Sequence, residues 1–183
     1  MEKFLLAEQK QGKKVKEKAM KKAVLIVLSM IALTACRTRT DQDIISEDLG
    51  VDVSSAEVIS DMDTHGGFHG DGTAVIILDC ADTGIPEQIS TAGNWKPFPL
   101  DDTVRTLVYG MGDKNVKIGP YLIDKDGEPL LPEIKDGYYL LIDRQTEDGK
   151  ATGPDILHRA SFNFTLGLYD AATEKLYLCK MDT

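Results

Sequence analysis

The sequence predicts an α+β domain that is mainly antiparallel β-sheet, with one or two short helices packed on one face. Residues 73–80 form an apolar run with the length of a strand, and residues 161–168 alternate with the period of two that a strand requires. Residues 82–93 instead carry the start and stop signals of a short helix. Several strands and few helices in one chain of this length indicate a sheet with helices packed against it.

Two strands are predicted early in the domain. Residues 46–50 indicate a short helical turn, and residues 56–61 indicate the start of the first strand. Residues 73–80 carry apolar side chains on both faces, with Val75 and Ile77 pointing opposite to the rest. A strand that is apolar on both faces is typical of the interior of a sheet, so we expect this one to be central.

A short helix is predicted after the central strand. Asp82, or the threonine after it, suits the N-cap, and Pro86 falls in the first turn, where proline is tolerated. Gly93 provides a helix end, and Pro97 and Pro99 prevent the helix from continuing.

Most of the later segments are predicted to be strands. Residues 101–110 are the exception, because their pattern leaves helix and strand open. Asp126 and Gly127 lie between two apolar segments and indicate a hairpin turn. Residues 138–143 predict a strand, and residues 161–168 predict one that is buried on one face.

The last two strands are predicted to form a hairpin. Residues 170–174 turn the chain back after the alternating strand. We expect Leu166 and Leu168 to oppose Leu176 and Leu178 on one face of the sheet.

Charge separates an N-terminal segment from the rest of the chain. Of 183 residues, the first 35 contain eight Lys and three Glu and carry a net charge of +5, whereas the remaining 148 carry −14. Lys21 and Lys22 precede an apolar run at residues 23–33. As a helix this run spans about 16 Å, roughly half the hydrocarbon core of a bilayer, so it suits an export signal better than a permanent anchor.

The apolar run is followed by Leu33, Thr34, Ala35 and Cys36, an order that resembles the lipobox of bacterial lipoproteins. In that family the cysteine sulfur receives a diacylglycerol, and a type II signal peptidase cuts before the cysteine. The resemblance implies that Cys36 is lipidated and holds the protein on the extracytoplasmic face of the cell membrane, where two acyl chains give stable attachment. The alternatives are a buried N-terminal helix with an incidental cysteine and an uncleaved signal anchor.

These features divide the chain into three parts. Residues 1–35 are an N-terminal extension and signal peptide, and Met20 is the expected true start because it directly precedes the basic pair. Residues 36–45 are polar and suit a tether from the lipid. Residues 46–183 are expected to form a single domain.

The most unusual segment begins at Asp61 and holds two histidines, three carboxylates and four glycines within twelve residues. Imidazole and carboxylate groups that converge on one point suit Zn²⁺ or another divalent cation. The candidate metal ligands are His65, His69, Asp63 and Asp71. Two alternatives remain open: an ordered strand connection in which the glycines take positive φ, and a loop whose backbone N–H groups face an anion.

Residues 65–72, together with 94–97, 137–139 and 161–164, are similar to small uncharacterised lipoproteins of Gram-positive bacteria. This resemblance implies no activity. It favours a non-catalytic, lipid-anchored envelope protein that binds a peptide, a protein or an envelope component, and the alternative is a metal-binding protein or metal-dependent hydrolase. The candidate binding residues are Gly66, Gly67, Phe68 and Trp95.

The net charge limits the classes of partner that the domain can bind, and the positions of two cysteines bear on whether they pair. The −14 charge disfavours nucleic acid, whose phosphates require clustered Lys and Arg, and it permits a cationic peptide or protein. No cofactor is expected apart from the divalent metal of the alternative function. Cys80 and Cys179 lie in apolar strands, so two separate buried thiols are favoured over a disulfide.

Overall fold

The computed structural model describes residues 39–66, 70–113, 116–146 and 153–183, and the residues from Asp41 onward form one compact unit. The described elements follow one another in an irregular alternation of helices and strands. They are α1 (Asp41–Leu49), β1 (Glu57–Asp63), β2 (Gly72–Asp79), α2 (Ile85–Thr91), β3 (Lys96–Pro97), α3 (Asp102–Tyr109), β4 (Met111–Gly112), β5 (Lys117–Ile118), β6 (Gly137–Asp143), a 3₁₀-helix (Gly153–His158), β7 (Asn163–Asp170) and β8 (Lys175–Asp182).

Six of the strands form one sheet in the order β1-β2-β8-β7-β6-β3, and β4 and β5 form a separate small hairpin. Every pair of neighbouring strands is antiparallel. The structure therefore confirms the predicted α+β class with a mainly antiparallel sheet. It also confirms that the apolar run now assigned to β2 lies inside the sheet.

Both faces of the sheet are covered by apolar clusters. The first face carries Leu176 and Leu178 and packs against Ile45 and Leu49 of α1 and against α2. The second face carries Tyr177, together with residues of α3 and of the 3₁₀-helix. Helices thus lie on both faces, whereas the sequence predicted one or two helices on one face.

α3 resolves the segment that the sequence left open between helix and strand. The Asp101 carboxylate caps the helix by accepting a hydrogen bond from the Val104 N–H, with an O–N distance of 2.9 Å. Gly110 ends the helix with a φ of 78°, in the region that favours glycine. Val104 and Leu107 are buried on the second face, which gives the helix its apolar stripe.

The domain begins earlier than the sequence predicted. α1 starts at Asp41, within the range assigned to the tether, and Ile45 is buried at its centre. Three polar residues open the helix, and only Ile45 and Leu49 of its nine residues are buried, so the segment shows too little of a helical period to be recognised from the sequence.

The predicted register of the last hairpin is wrong by one residue. Leu166 pairs with Cys179, so it lies on the second face, whereas Leu176 and Leu178 lie on the first. The error arises from the turn, because Asp170 pairs with Lys175 and the loop therefore contains an even number of residues. A change of one residue in register moves a whole set of side chains to the other face.

β7 is buried on both faces rather than on one. The alternating polar positions that suggested a solvent-exposed side include Thr165 and Gly167. Trp95 lies over Gly167, where an added Cβ would come within 2.6 Å of the indole ring. The indole N–H donates to the Leu49 carbonyl at 3.1 Å, which fixes the ring in this position.

Cys80 and Cys179 are both free and both buried, which confirms the prediction of two separate thiols. They lie on opposite faces of the sheet, Cys80 on the first and Cys179 on the second. Burial raises the pKa of Cys80 to about 11 and that of Cys179 to about 12, so both thiols stay protonated at neutral pH.

The predicted turn at Asp126 and Gly127 is also present. The Asp124 carboxylate accepts hydrogen bonds from the backbone N–H groups of Asp126 and Glu128, at 2.8 and 3.0 Å. The flanking residues make one isolated bridge, between Ile123 and Pro129, instead of two full strands.

The predicted export signal and Cys36 lie outside the described residues. In the part of the chain that is described, no helix has both the length and the apolar composition needed to cross a bilayer.

Candidate functional site

The unusual histidine-rich segment connects β1 to β2. The Thr64 N–H donates to the Thr73 carbonyl at 3.0 Å, and the Gly66 N–H donates to the Asp71 carbonyl at 3.4 Å. The segment therefore continues the hairpin beyond the end of the two strands, as the strand-connection alternative predicted. Gly66 and Asp71 are exposed, and the candidate residues 67–69 lie outside the described residues.

His65 links this hairpin to the C-terminal end of β8. Its Nδ1 lies 2.6 Å from Asp63 Oδ1, and its Nε2 lies 3.1 Å from Asp182 Oδ2. The His65 backbone and ring nitrogens both bond to Asp63 and hold the pKa of that carboxyl below its usual range. Arg144 donates to Asp182 at 2.9 Å and neutralises the second carboxylate.

Within the described residues, His65 and its two carboxylates form a hydrogen-bonded cluster and not a set of converging metal ligands. A metal-binding imidazole directs one nitrogen lone pair at the ion, but both ring nitrogens of His65 face carboxylates. Among the described residues, no group of three or more His, Cys, Asp or Glu side chains could hold a metal ion. Of the four predicted ligands, Asp63 and His65 are brought together, Asp71 is exposed on the loop, and His69 lies outside the described residues.

Trp95 does not lie at a binding surface. It is 6% exposed and belongs to the apolar cluster on the first face. Its indole N–H bonds to the Leu49 carbonyl, and the opposite end of the ring packs over Gly167, so both ends of the side chain contact the protein itself. The structure therefore gives this predicted binding residue a packing role.

A groove of about 250 Å³ runs along the first face between α1 and the edge of the sheet. We call it the edge groove. It is lined by Asp41, Ile44, Ile45, Asp61, Asp63, Ala74, Ile76, Leu178 and Lys180.

The edge groove combines an apolar floor with an acidic rim. Asp41 stands at the start of α1, while Asp61 and Asp63 project from β1. Among the described residues that line the groove, Lys180 is the only cation. Its Nζ lies 2.5 Å from Oδ2 of Asp48, a residue that does not line the groove. Within the described residues, neither Asp41 nor Asp61 forms an ion pair, so their charges are available to a ligand.

β1 forms one edge of the sheet, directly beside the edge groove. Its side chains are exposed from Glu57 to Asp61, including the apolar Val58 and Ile59. A bulge interrupts the register with β2 between Val58 and Ser60. Edge strands expose backbone groups that can pair with another chain, so this strand is a candidate interaction surface.

The pairing of β1 with β2 shows which backbone groups face outward. Antiparallel pairs alternate between residues that exchange backbone hydrogen bonds and residues that do not. Since Thr64 bonds to Thr73, Met62 exchanges bonds with β2, while Asp61 and Asp63 direct their N–H and C=O groups to the open edge. The two residues that offer backbone groups outward are thus the same two that place carboxylates in the edge groove.

A second cavity, of about 650 Å³, lies beyond α3. Its lining includes charges of both signs, and Glu133 and Lys135 approach each other to 3.9 Å. Tyr109 reaches into the same region, but its hydroxyl donates to the Pro132 carbonyl and accepts from the Ile134 N–H. Burial raises the pKa of Tyr109. The charges of this cavity therefore do not favour a ligand of one sign, whereas the carboxylates of the edge groove favour a cation.

A buried ion pair, which the sequence did not predict, closes the end of β6. The Asp143 side chain is fully buried and pairs through both oxygens with the Arg159 guanidinium. The Gln145 N–H adds a third hydrogen bond to the same carboxylate at 3.1 Å. Arg159 lowers the pKa of Asp143 more strongly than burial raises it. The two residues lie 16 positions apart in the sequence, so no local pattern could have indicated the contact.

No protein-family model matches the chain, and no curated protein or solved structure matches it either.

Proposed function

We propose that the protein is a lipid-anchored, extracytoplasmic binding module without catalytic activity, which binds a cationic peptide or protein in the edge groove. The single observation that carries the binding function is the acidic rim formed by Asp41, Asp61 and Asp63 above an apolar floor. A basic side chain entering the groove would place its charge at the rim and its methylene groups on the floor.

The charge of the whole domain supports the same class of partner. The residues after the first 35 carry a net charge of −14, which attracts cationic molecules over a distance of about one Debye length. Two of the three rim carboxylates, Asp41 and Asp61, have no competing ion pair among the described residues. The rim carboxylates of the groove therefore add a local negative charge to a domain that is acidic as a whole.

The membrane location rests on the lipobox resemblance at Cys36. Metabolic labelling of the full chain in a bacterial host with a palmitate analogue tests it, with Cys36→Ser as the matched variant. We expect label and membrane fractionation for the native chain and neither for the variant. An unlabelled native chain in the cytosolic fraction would refute the proposed anchor.

The binding function is tested separately with the purified full chain in detergent. A fluorescent lysine-rich peptide should bind, and a glutamate-rich peptide of equal length should not. The Asp41→Asn/Asp61→Asn double variant should weaken binding at least tenfold, whereas Asp126→Asn, at an exposed turn away from the groove, should leave it unchanged. Equal affinity in both variants would exclude the edge groove as the binding site.

A further inference from the structure

The edge groove and the open edge of β1 form one continuous surface. Asp61 and Asp63 belong to both, because their carboxylates line the groove and their backbone groups face the open edge. A partner that contacts the carboxylates therefore lies within reach of the backbone groups as well. We infer that the partner binds as an extended basic strand that is added to the sheet beside β1. This inference rests on the proposed function.

Charge determines which strand fits this edge. Residues directly opposite one another on paired strands interact most strongly, and opposite charges at such positions stabilise the pair. A Lys or Arg opposite Asp61 and another opposite Asp63 satisfy this rule, since side chains two residues apart share one face of a strand. The expected partner motif is therefore basic-x-basic in an extended conformation.

Exposed apolar side chains beside the two carboxylates add a further requirement for the partner strand. Val58 pairs with Leu78 and so lies on the same face as the carboxylates, where it is exposed. Ile44 of α1 is also exposed at the groove lining. An apolar residue beside the basic pair would cover this surface, so we expect the motif to carry an aliphatic or aromatic side chain at one end.

The same charges disfavour a second copy of this chain as the occupant. Antiparallel pairing of two β1 strands around Met62 would set Asp61 of one copy opposite Asp63 of the other. Like charges at directly opposed positions are destabilising. The acidic side chains thus protect the edge against self-pairing and leave it open to a basic strand.

Amide hydrogen exchange of the full chain, resolved by residue with NMR, tests the binding mode directly. The probe is a peptide of eight residues with Lys at alternating positions and Val or Thr between them. Added-strand binding predicts at least a tenfold slower exchange at the Asp61 and Asp63 amides. The Met62 amide already bonds within the sheet, so it should change little.

Two modified peptides provide the matched comparison. N-methylation of the two residues opposite Asp61 and Asp63 removes their N–H donors and should weaken binding at least tenfold. N-methylation of the residues between them, whose N–H groups point away from β1, should have little effect. Equal weakening by both modifications would overturn the added-strand mode.

The outcomes separate the binding mode from the binding function. Binding of the lysine peptide without protection of the Asp61 and Asp63 amides would overturn strand addition while supporting a side-chain contact in the groove. Absence of any lysine-peptide binding would overturn both proposals. Protection of these amides on concentration of the chain alone, with a dimer in sedimentation analysis, would assign the edge to a second copy instead.

Discussion

Replacing Arg159 with methionine should destabilise the domain strongly, because it leaves the fully buried Asp143 carboxylate without its cation. Breaking a buried ion pair from one side costs about 3–5 kcal/mol. The Arg159 side chain is 24% exposed, so part of the pair is already solvated, and we take the lower end of that range. A loss of about 3 kcal/mol corresponds to a melting temperature lower by roughly 9 °C in a domain of this size.

The loss should depend on pH in a defined direction. The pKa of Asp143 is lowered in the folded protein. The pair's contribution is therefore complete above the unfolded carboxyl pKa of about 3.9, and it disappears as pH falls through the lower folded value. In Arg159→Met, burial without a cation raises that pKa instead, so the variant should take up a proton and recover part of the loss near pH 4.

Urea unfolding of the full chain at pH 7 and pH 4 measures both effects. The chain contains one tryptophan, Trp95, whose buried indole provides a single fluorescence signal for the domain. Lys125→Met is the matched control, because Lys125 pairs with Asp126 in an exposed contact at 4.0 Å and its replacement should change stability by less than about 0.5 kcal/mol. A loss below about 1 kcal/mol at pH 7, or one that is undiminished at pH 4, would refute this account of the pair.

Two further predictions concern the packing of the sheet. Gly167→Ala should lower the free energy of unfolding by about 1–3 kcal/mol, because the added methyl group would overlap the Trp95 ring. Gly93→Ala, where an added Cβ meets nothing within 4 Å, is the control in the same urea titration, and equal losses would contradict the overlap. Cys80 and Cys179 should resist iodoacetamide in the native chain and react fully in urea, because both are buried with raised pKa values. A mass gain of two hydrogen atoms on reduction would instead reveal a disulfide.

The sequence predicted those parts of the fold that depend on local pattern. β2 was placed inside the sheet because both of its faces are apolar. The helix after it was also predicted, but Gly84 takes the N-cap position that the sequence assigned to Asp82 or the threonine after it, and glycine has no side chain with which to cap the helix. The register of the β7–β8 hairpin was not predictable in the same way, since turn geometry and not side-chain pattern sets the pairing of Asp170 with Lys175.

The candidate site was predicted only in part. Asp63 and His65 lie two residues apart at and just beyond the end of β1, so the pattern indicated their contact. Asp182, the second carboxylate that contacts His65, is 117 residues further along the chain. The edge groove requires α1 to pack beside β1, and the sequence assigned the start of that helix to a tether. Trp95 was misassigned because a glycine on a distant strand, Gly167, creates the space that buries it.

The position of β8 has a consequence for when the domain folds. β8 lies between β2 and β7, although it follows both of them in the chain. Before β8 leaves the ribosome, the β1–β2 and β6–β7 hairpins have no strand through which to join. Closing the sheet also brings together residues as distant in sequence as Val75 and Cys179, which makes the step slow. The six-stranded sheet therefore cannot close until β8 has been synthesised.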